Sequence, residues 1–111
     1  LKLVIHAQDL TLPDPVRAYA DQKVQRLDHH FDRILDARLD FRLPNHKSLN
    51  PPKQAELVVH VQGRHLKAHA IAPGLQEAVD MVVDKLDQQL RKRKERLKNH
   101  RALPAAGRPR T

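Results

Sequence analysis

The sequence predicts an α+β fold in the order β-α-β-β-β-α, a four-stranded sheet with two helices packed on one face. Three observations predict it. Residues 35–43 alternate strictly, with Leu35, Ala37, Leu39, Phe41 and Leu43 on one side and Asp36, Arg38, Asp40 and Arg42 on the other. A period of two with opposite charges on its polar side describes a strand buried on one face and wet on the other. Two other stretches repeat at steps of three and four: Val16, Ala20, Val24, Leu27 and Phe31, then Leu75, Val79, Val82, Leu86, Leu90 and Leu97. These are the apolar stripes of amphipathic helices. Prolines and glycines punctuate the chain between these segments, at Pro13, Pro15, Pro44, Pro51, Pro52, Gly63, Pro73 and Gly74, where regular structure is interrupted or turned.

Each element follows in order. Leu3 and Ile5 alternate with Lys2, Val4 and His6 as a short first strand. Pro15, just after Asp14, suits the opening turn of the first helix, since proline lacks only an N–H that would have no partner there. The strand at 35–43 is followed by a loop from Pro44 to Lys53, and Ala55, Leu57, Val59 and Val61 mark the inward face of a third strand. Gly63-Arg64 reads as a tight hairpin turn, with glycine free to take a positive φ. Leu66, Ala68 and Ala70 continue the inward face on a fourth strand. The second helix, taken over residues 75–99, would be about 37 Å long. Its last turns are expected to run past the sheet.

A chain of 111 residues is one ordinary domain. Residues 1–100 are assigned to the folded domain and 101–111 to a short basic tail, expected to be disordered because it holds prolines, a glycine and few large apolar residues. There is no cysteine, so disulfides and thiolate chemistry are excluded, and an intracellular setting is permitted. The longest apolar runs, such as Leu3–Ile5 and Leu57–Val59, are too short for a bilayer span or a signal core. A cytoplasmic protein with no membrane partner is expected.

Charge is distributed very unevenly. From Lys85 onward there are ten bases against Asp87 and Glu95, a net +8, while residues 1–84 hold eleven bases and eleven acids and are neutral. A focused positive field of this kind concentrates polyanions and speeds their capture, so nucleic acid is the first partner class. Tyr19, Phe31 and Phe41 are the only aromatics besides histidine, too few for a base-stacking platform, so phosphates rather than bases would be contacted. On a helical wheel, Lys85, Gln89, Lys92 and Arg96 lie near one another, with Gln88, Arg91, Lys94 and Lys98 adjoining. Lys23 and Arg26 of the first helix, with Arg33 after it, would join them as one basic surface if the helices lie side by side.

Catalysis has no visible basis. Ser48 is the only serine and lies in the proline-rich loop, and Asp80 with Asp84, one helical turn apart, reads as solvent-side charge rather than an acid–base pair. His6, His60 and His69 project from the outer sheet face by parity, but imidazoles spread over a charged surface lack the matched geometry a metal requires. No enzyme, metal, cofactor or small-molecule substrate is expected.

Certain motifs carry a family resemblance over residues 2–100. His30-Phe31-Asp32-Arg33-Ile34 resembles a Tyr-Phe-Asp-Arg-Ile motif, and Asp84-Lys85-Leu86, Gln89-Leu90 and Lys92-x-Lys94-x-x-Leu97-Lys98 follow in order in the second helix. In these the chain resembles the short ribosome hibernation-promoting factors, the family that includes the bacterial ribosome-associated translation inhibitor. It departs from the family pattern in His30, where tyrosine is usual, and in Ala72-Pro73-Gly74, where Gly-x-Asp often opens the helix.

The resemblance implies a fold like the double-stranded-RNA-binding domain and a non-enzymatic protein of the small ribosomal subunit. Such a protein sits in the decoding channel, occludes messenger and the A- and P-site transfer RNAs, and stops translation in stationary or stressed bacteria. It implies Lys85, Gln89, Lys92, Lys94 and Lys98 as ribosomal RNA contacts, with Arg33 from the first motif. Lys23, Arg26 and Arg91 are added from the charge pattern. A short form without the separate dimerisation domain of long members is expected, monomeric off the ribosome. Its brief basic tail leans towards the kind that favours ribosome dimers. The alternative is a general double-stranded-RNA-binding or RNA-chaperone module with no preference for ribosomes.

Overall fold

The computed structural model describes residues 1–31, 33–44 and 51–102, with side chains described throughout except at His30 and from position 93 onward. The expected loop positions 45–50 and the tail from 103 lie outside the described residues, as do the side chains of Lys94, Leu97 and Lys98. The elements are β1 (Lys2–Gln8), α1 (Asp14–His30), β2 (Ile34–Arg42), β3 (Lys53–Val61), β4 (Arg64–Ala72) and α2 (Leu75–Ala102). They form one four-stranded sheet in the order β1-β2-β3-β4. β1 runs parallel to β2, and the other neighbours are antiparallel. A parallel pair needs a crossover, which α1 supplies.

The buried side of the sheet is made by the alternation that the sequence shows. Ala37, Leu39 and Phe41 of β2, Ala55, Leu57, Val59 and Val61 of β3, and Ala68, Ala70 and Ala72 of β4 are all buried. They share one apolar cluster with Ala20, Val24 and Leu27 of α1 and Val79, Val82, Leu86 and Leu90 of α2, so both helices cover the same sheet face. Small alanines on β4 leave room for α2 to lie close against that strand.

Two local readings are corrected. Leu35 does not point inward: it is 57% exposed, while Ile34 is 7% exposed and joins the core. Ile34 stands opposite Val61 and Asp36 opposite His60, so β2 carries one extra residue there, a β-bulge that reverses parity for the residues before it. The hairpin turn is Gln62-Gly63 rather than Gly63-Arg64, because Val61 and Arg64 already face each other in the ladder. Gly63 takes the positive φ of 74° that the turn needs.

Helix α1 opens as expected. The N–H groups of Val16 and Arg17 both donate to the Pro13 carbonyl at 3.0 Å, and Pro15 sits in the first turn. It ends with the Phe31 N–H donating to the Leu27 carbonyl at 2.9 Å. The topology also orients both helices alike. α1 returns from the end of β1 to the start of β2, and α2 returns from the end of β4 towards its start. α1 therefore ends, and α2 leaves the sheet, at the same pole, beside the Gln62-Gly63 hairpin.

Candidate nucleic-acid interface

The hairpin pole gathers cations from four elements. Arg33 lies in the tight connection between α1 and β2, with φ at 72° in the left-handed region. That conformation is costly for a residue with a Cβ and persists only where the surroundings demand it. Its guanidinium donates to the Gln62 side-chain carbonyl at 3.0 Å, tying the α1–β2 connection to the hairpin. Arg64, exposed at the first position of β4, stands next to this pair. The sequence reading missed Arg64; its signal was the glycine turn immediately before it, which fixes it at the rim. Arg26 in the second half of α1 and Lys92 on α2 are exposed on the way to the same pole. The C-terminus of α1 adds partial negative charge there, which favours basic side chains nearby, while α2 continues past the pole to Ala102. At the opposite ends of the helices, the first turns carry Asp14 and Glu77.

The helices do lie side by side, but their seam is not basic. Asp80 of α2 accepts a hydrogen bond from the Tyr19 hydroxyl at 2.5 Å and pairs with the Lys23 ammonium at 3.4 Å. Asp84 and Asp87 follow Asp80 on the same stripe of the wheel, and Arg91 is paired to Asp87 at 3.0 Å. Lys23 and Arg91 are thus committed to carboxylates along the seam. The cations on the other flank of α2 meet β4 instead. Lys85 Nζ donates to the His69 carbonyl at 2.9 Å, and Gln89 Nε2 donates to the Lys67 carbonyl at 2.8 Å. The expected continuous surface therefore divides into the pole, the β4 flank and an acidic seam. Among the described residues, Arg26 and Lys92 are the two sequence-predicted contacts with no hydrogen bond or ion pair of their own. Lys94 and Lys98 continue α2 beyond the described side chains.

The Tyr19–Asp80 contact gives the seam a pH signature. The hydrogen bond to Asp80 is the main cause that raises the Tyr19 pKa above the ordinary phenol value, with desolvation and the Asp80 charge adding to it. The neutral phenol is the form favoured on folding. Its stabilising effect is therefore complete below the unfolded phenol pKa and is lost as pH rises through the raised folded value. Tyr19 is the only tyrosine, so its phenolate absorbance can be followed without interference. It should titrate above about pH 10, and Asp80→Ala should move the midpoint back down. An unchanged midpoint in that variant would mean that Asp80 does not hold the hydroxyl.

The outer sheet face mixes polar side chains with the exposed Val4, Leu35 and Ile71. His6 and His60 lie 3.6 Å from Asp40 and Asp36 respectively, and the His60 and His65 rings stack at 4.3 Å between centroids. Among the described residues no three His, Asp or Glu side chains converge as a metal-binding group, and no helix is long and apolar enough to cross a membrane.

Comparison with known proteins places this architecture. The solved structure of a ribosomal subunit interface protein from Coxiella burnetii superposes with a TM-score of 0.75 at 22% identity, covering 86% of this chain and 99% of that one. The N-terminal domain of Protein Y from Thermus thermophilus gives a TM-score of 0.71 at 26% identity, covering 83% and 98%. A ribosome hibernation promoting factor of Azotobacter vinelandii is 32% identical over 96 residues, 86% of this chain and 85% of that protein. A ribosome hibernation promotion factor of Deinococcus radiodurans is 29% identical over 97 residues, and the match spans only 51% of its length. The family model described as sigma 54 modulation protein / S30EA ribosomal protein matches residues 3–98. With the β-α-β-β-β-α order, the shared fold and a match over most of its length, this chain belongs to the sigma 54 modulation protein / S30EA ribosomal protein family.

Proposed function

We infer that this chain is a ribosome hibernation factor. It binds the small subunit in the decoding channel, occludes messenger and the A- and P-site transfer RNAs, and inhibits translation in stress or stationary phase. The observation that carries the reading is the cationic pole, built from the end of α1, the exit of α2 from the sheet, a strained arginine and a hairpin, in a chain whose relatives are ribosome hibernation factors. Phosphates of a folded RNA suit such a pole, because they are met by charge and shape without base readout. Arg26, Arg33, Lys92, Lys94 and Lys98 supply the charge, while Lys23 and Arg91 are paired to Asp80 and Asp87 along the seam and Lys85 and Gln89 bond the edge carbonyls of β4. Residues 1–100 act as the binding domain, monomeric away from the ribosome and acting by occupancy alone.

Sedimentation with purified ribosomes through sucrose gradients over a salt series tests this. With about six phosphates contacted, log K against log salt should fall with a slope of about −4 to −5. The bound chain should travel with the small subunit and be displaced by excess messenger and initiator transfer RNA. Displacement by arbitrary duplex RNA at equal mass would favour the general RNA-binding module. A slope near zero would replace RNA with a protein surface as the partner.

A further inference from the structure

Strand β4 is an edge of the sheet, and half of its backbone groups face outward. Counted from the two-residue hairpin, Arg64, Leu66, Ala68 and Ala70 exchange hydrogen bonds with β3, while Lys67 and His69 turn their carbonyls to the open side. Those two consecutive outward carbonyls are the ones that Gln89 and Lys85 engage. The spacing fits well: four residues of helix advance about 6 Å and two residues of strand about 6.6 Å. As α2 advances from 85 to 89, its partners step back from His69 to Lys67. Both bonds can form only if α2 runs nearly antiparallel to β4 at one fixed offset.

A third step of the same ladder would bring position 93 to His65, next to Arg64, where β4 begins. Helix α2 continues to Ala102, so its later turns have no β4 beneath them. The two bonds hold the helix close to where it leaves the sheet. From Leu90, the last described buried residue of α2, to Ala102 the arm is roughly 18 Å long, and a tilt of about 10° would displace its end by roughly 3 Å. An arm that wanders that far must be brought back into line on binding, which weakens affinity without changing how many phosphates are met.

We propose that Lys85 and Gln89 are positioning residues. They clamp α2 to the β4 edge through the carbonyls of His69 and Lys67, and so aim the basic arm that begins at Lys92, rather than neutralising phosphates themselves. Gln89 carries no charge to neutralise one, and the Lys85 ammonium is already oriented by a backbone carbonyl. This rests on the RNA-binding reading above, and separates the residues that touch RNA from those that orient the ones that do.

Charge and donor can be separated at Lys85. Lys85→Gln removes the charge but keeps an amide able to donate to the carbonyl, as Gln89 does one turn later. Lys85→Met removes both and keeps the stem. Affinity for purified small subunits is measured across salt for these variants, with Gln89→Leu and Lys92→Gln beside them. The clamp predicts that Lys85→Gln binds like the parent. It predicts that Lys85→Met and Gln89→Leu lose about tenfold at fixed salt with the slope unchanged, and that Lys92→Gln flattens the slope by about 0.9. Equal flattening by about 0.9 in Lys85→Gln and Lys85→Met would make Lys85 a phosphate ligand and overturn the proposal. Parent-like binding by Lys85→Met and Gln89→Leu would overturn it too. If the parent itself ignores small subunits, the ribosome reading fails, and hydrogen exchange on the free protein decides the clamp separately. In Gln89→Leu, and in Lys85→Met, amides after position 89 should exchange at least tenfold faster with β2 and β3 unchanged; parent-like rates there would sink the clamp.

Discussion

Replacing Phe41 by alanine should lower the unfolding free energy by about 3–5 kcal/mol. Phe41 has no exposed surface and is among the largest fully buried side chains, on a strand paired on both sides. Its loss removes apolar burial and leaves a cavity that β2, held by β1 and β3, cannot easily close. Against a typical total stability of about 5–15 kcal/mol, that is enough to bring the melting transition close to ambient temperature. Leu35→Ala is the internal control. By simple alternation it belongs to the same buried face, yet the bulge turns it outward, and its change should stay within about 0.5 kcal/mol. Equal losses for both variants in chemical denaturation would mean that the bulge is absent in solution.

The second large effect concerns affinity. Changing Lys92, Lys94 and Lys98 together to alanine should weaken ribosome binding roughly 10²-fold at physiological salt and flatten the salt slope by about 2.7, which corresponds to three lost phosphate contacts. Alanine is the best helix former, and the Lys92 side chain is exposed, so thermal unfolding should change little. Binding isotherms at several salt concentrations, with melts on the same samples, separate the two traits. Parent-like binding would move the contact surface away from the arm of α2.

Much of this molecule could be read from the chain directly. Period-two alternation located Leu39 and Phe41, and the three-and-four spacing located Val24, Leu27, Val82 and Leu86, because burial of one face imposes those periods wherever an element is regular. Leu35 escaped because a bulge inserts a residue without leaving a sign in the pattern. The basic wheel of α2 correctly grouped Lys85 with Gln89, but wheel geometry contains no neighbour, so the edge carbonyls of β4 could not be anticipated. Asp80 was read as solvent charge, whereas it holds Tyr19 and Lys23 across the helix seam. Arg64 carries no periodic signal at all. The glycine turn before it sets it at the rim of the hairpin, but its nearness to the Arg33–Gln62 pair becomes visible only once the topology is drawn.

The asymmetry between the two sheet edges has a consequence for how the molecule opens. Within the sheet β1 pairs only with β2, through pairs such as Leu3 with Ala37 that lie far apart in the chain, and its inward residues Leu3, Ile5 and Ala7 are only partly buried. At the other edge β4 has a two-residue connection to β3, a packed helix above it and side-chain caps on its outer carbonyls. An edge with partly buried side chains and pairing on one side opens at lower free energy than the packed core. Breathing is therefore expected at the margin farthest from β4, where exchange of the β1 amides should be fastest among the strands. The segment that meets the partner can stay rigid while the β1 margin frays and reseals.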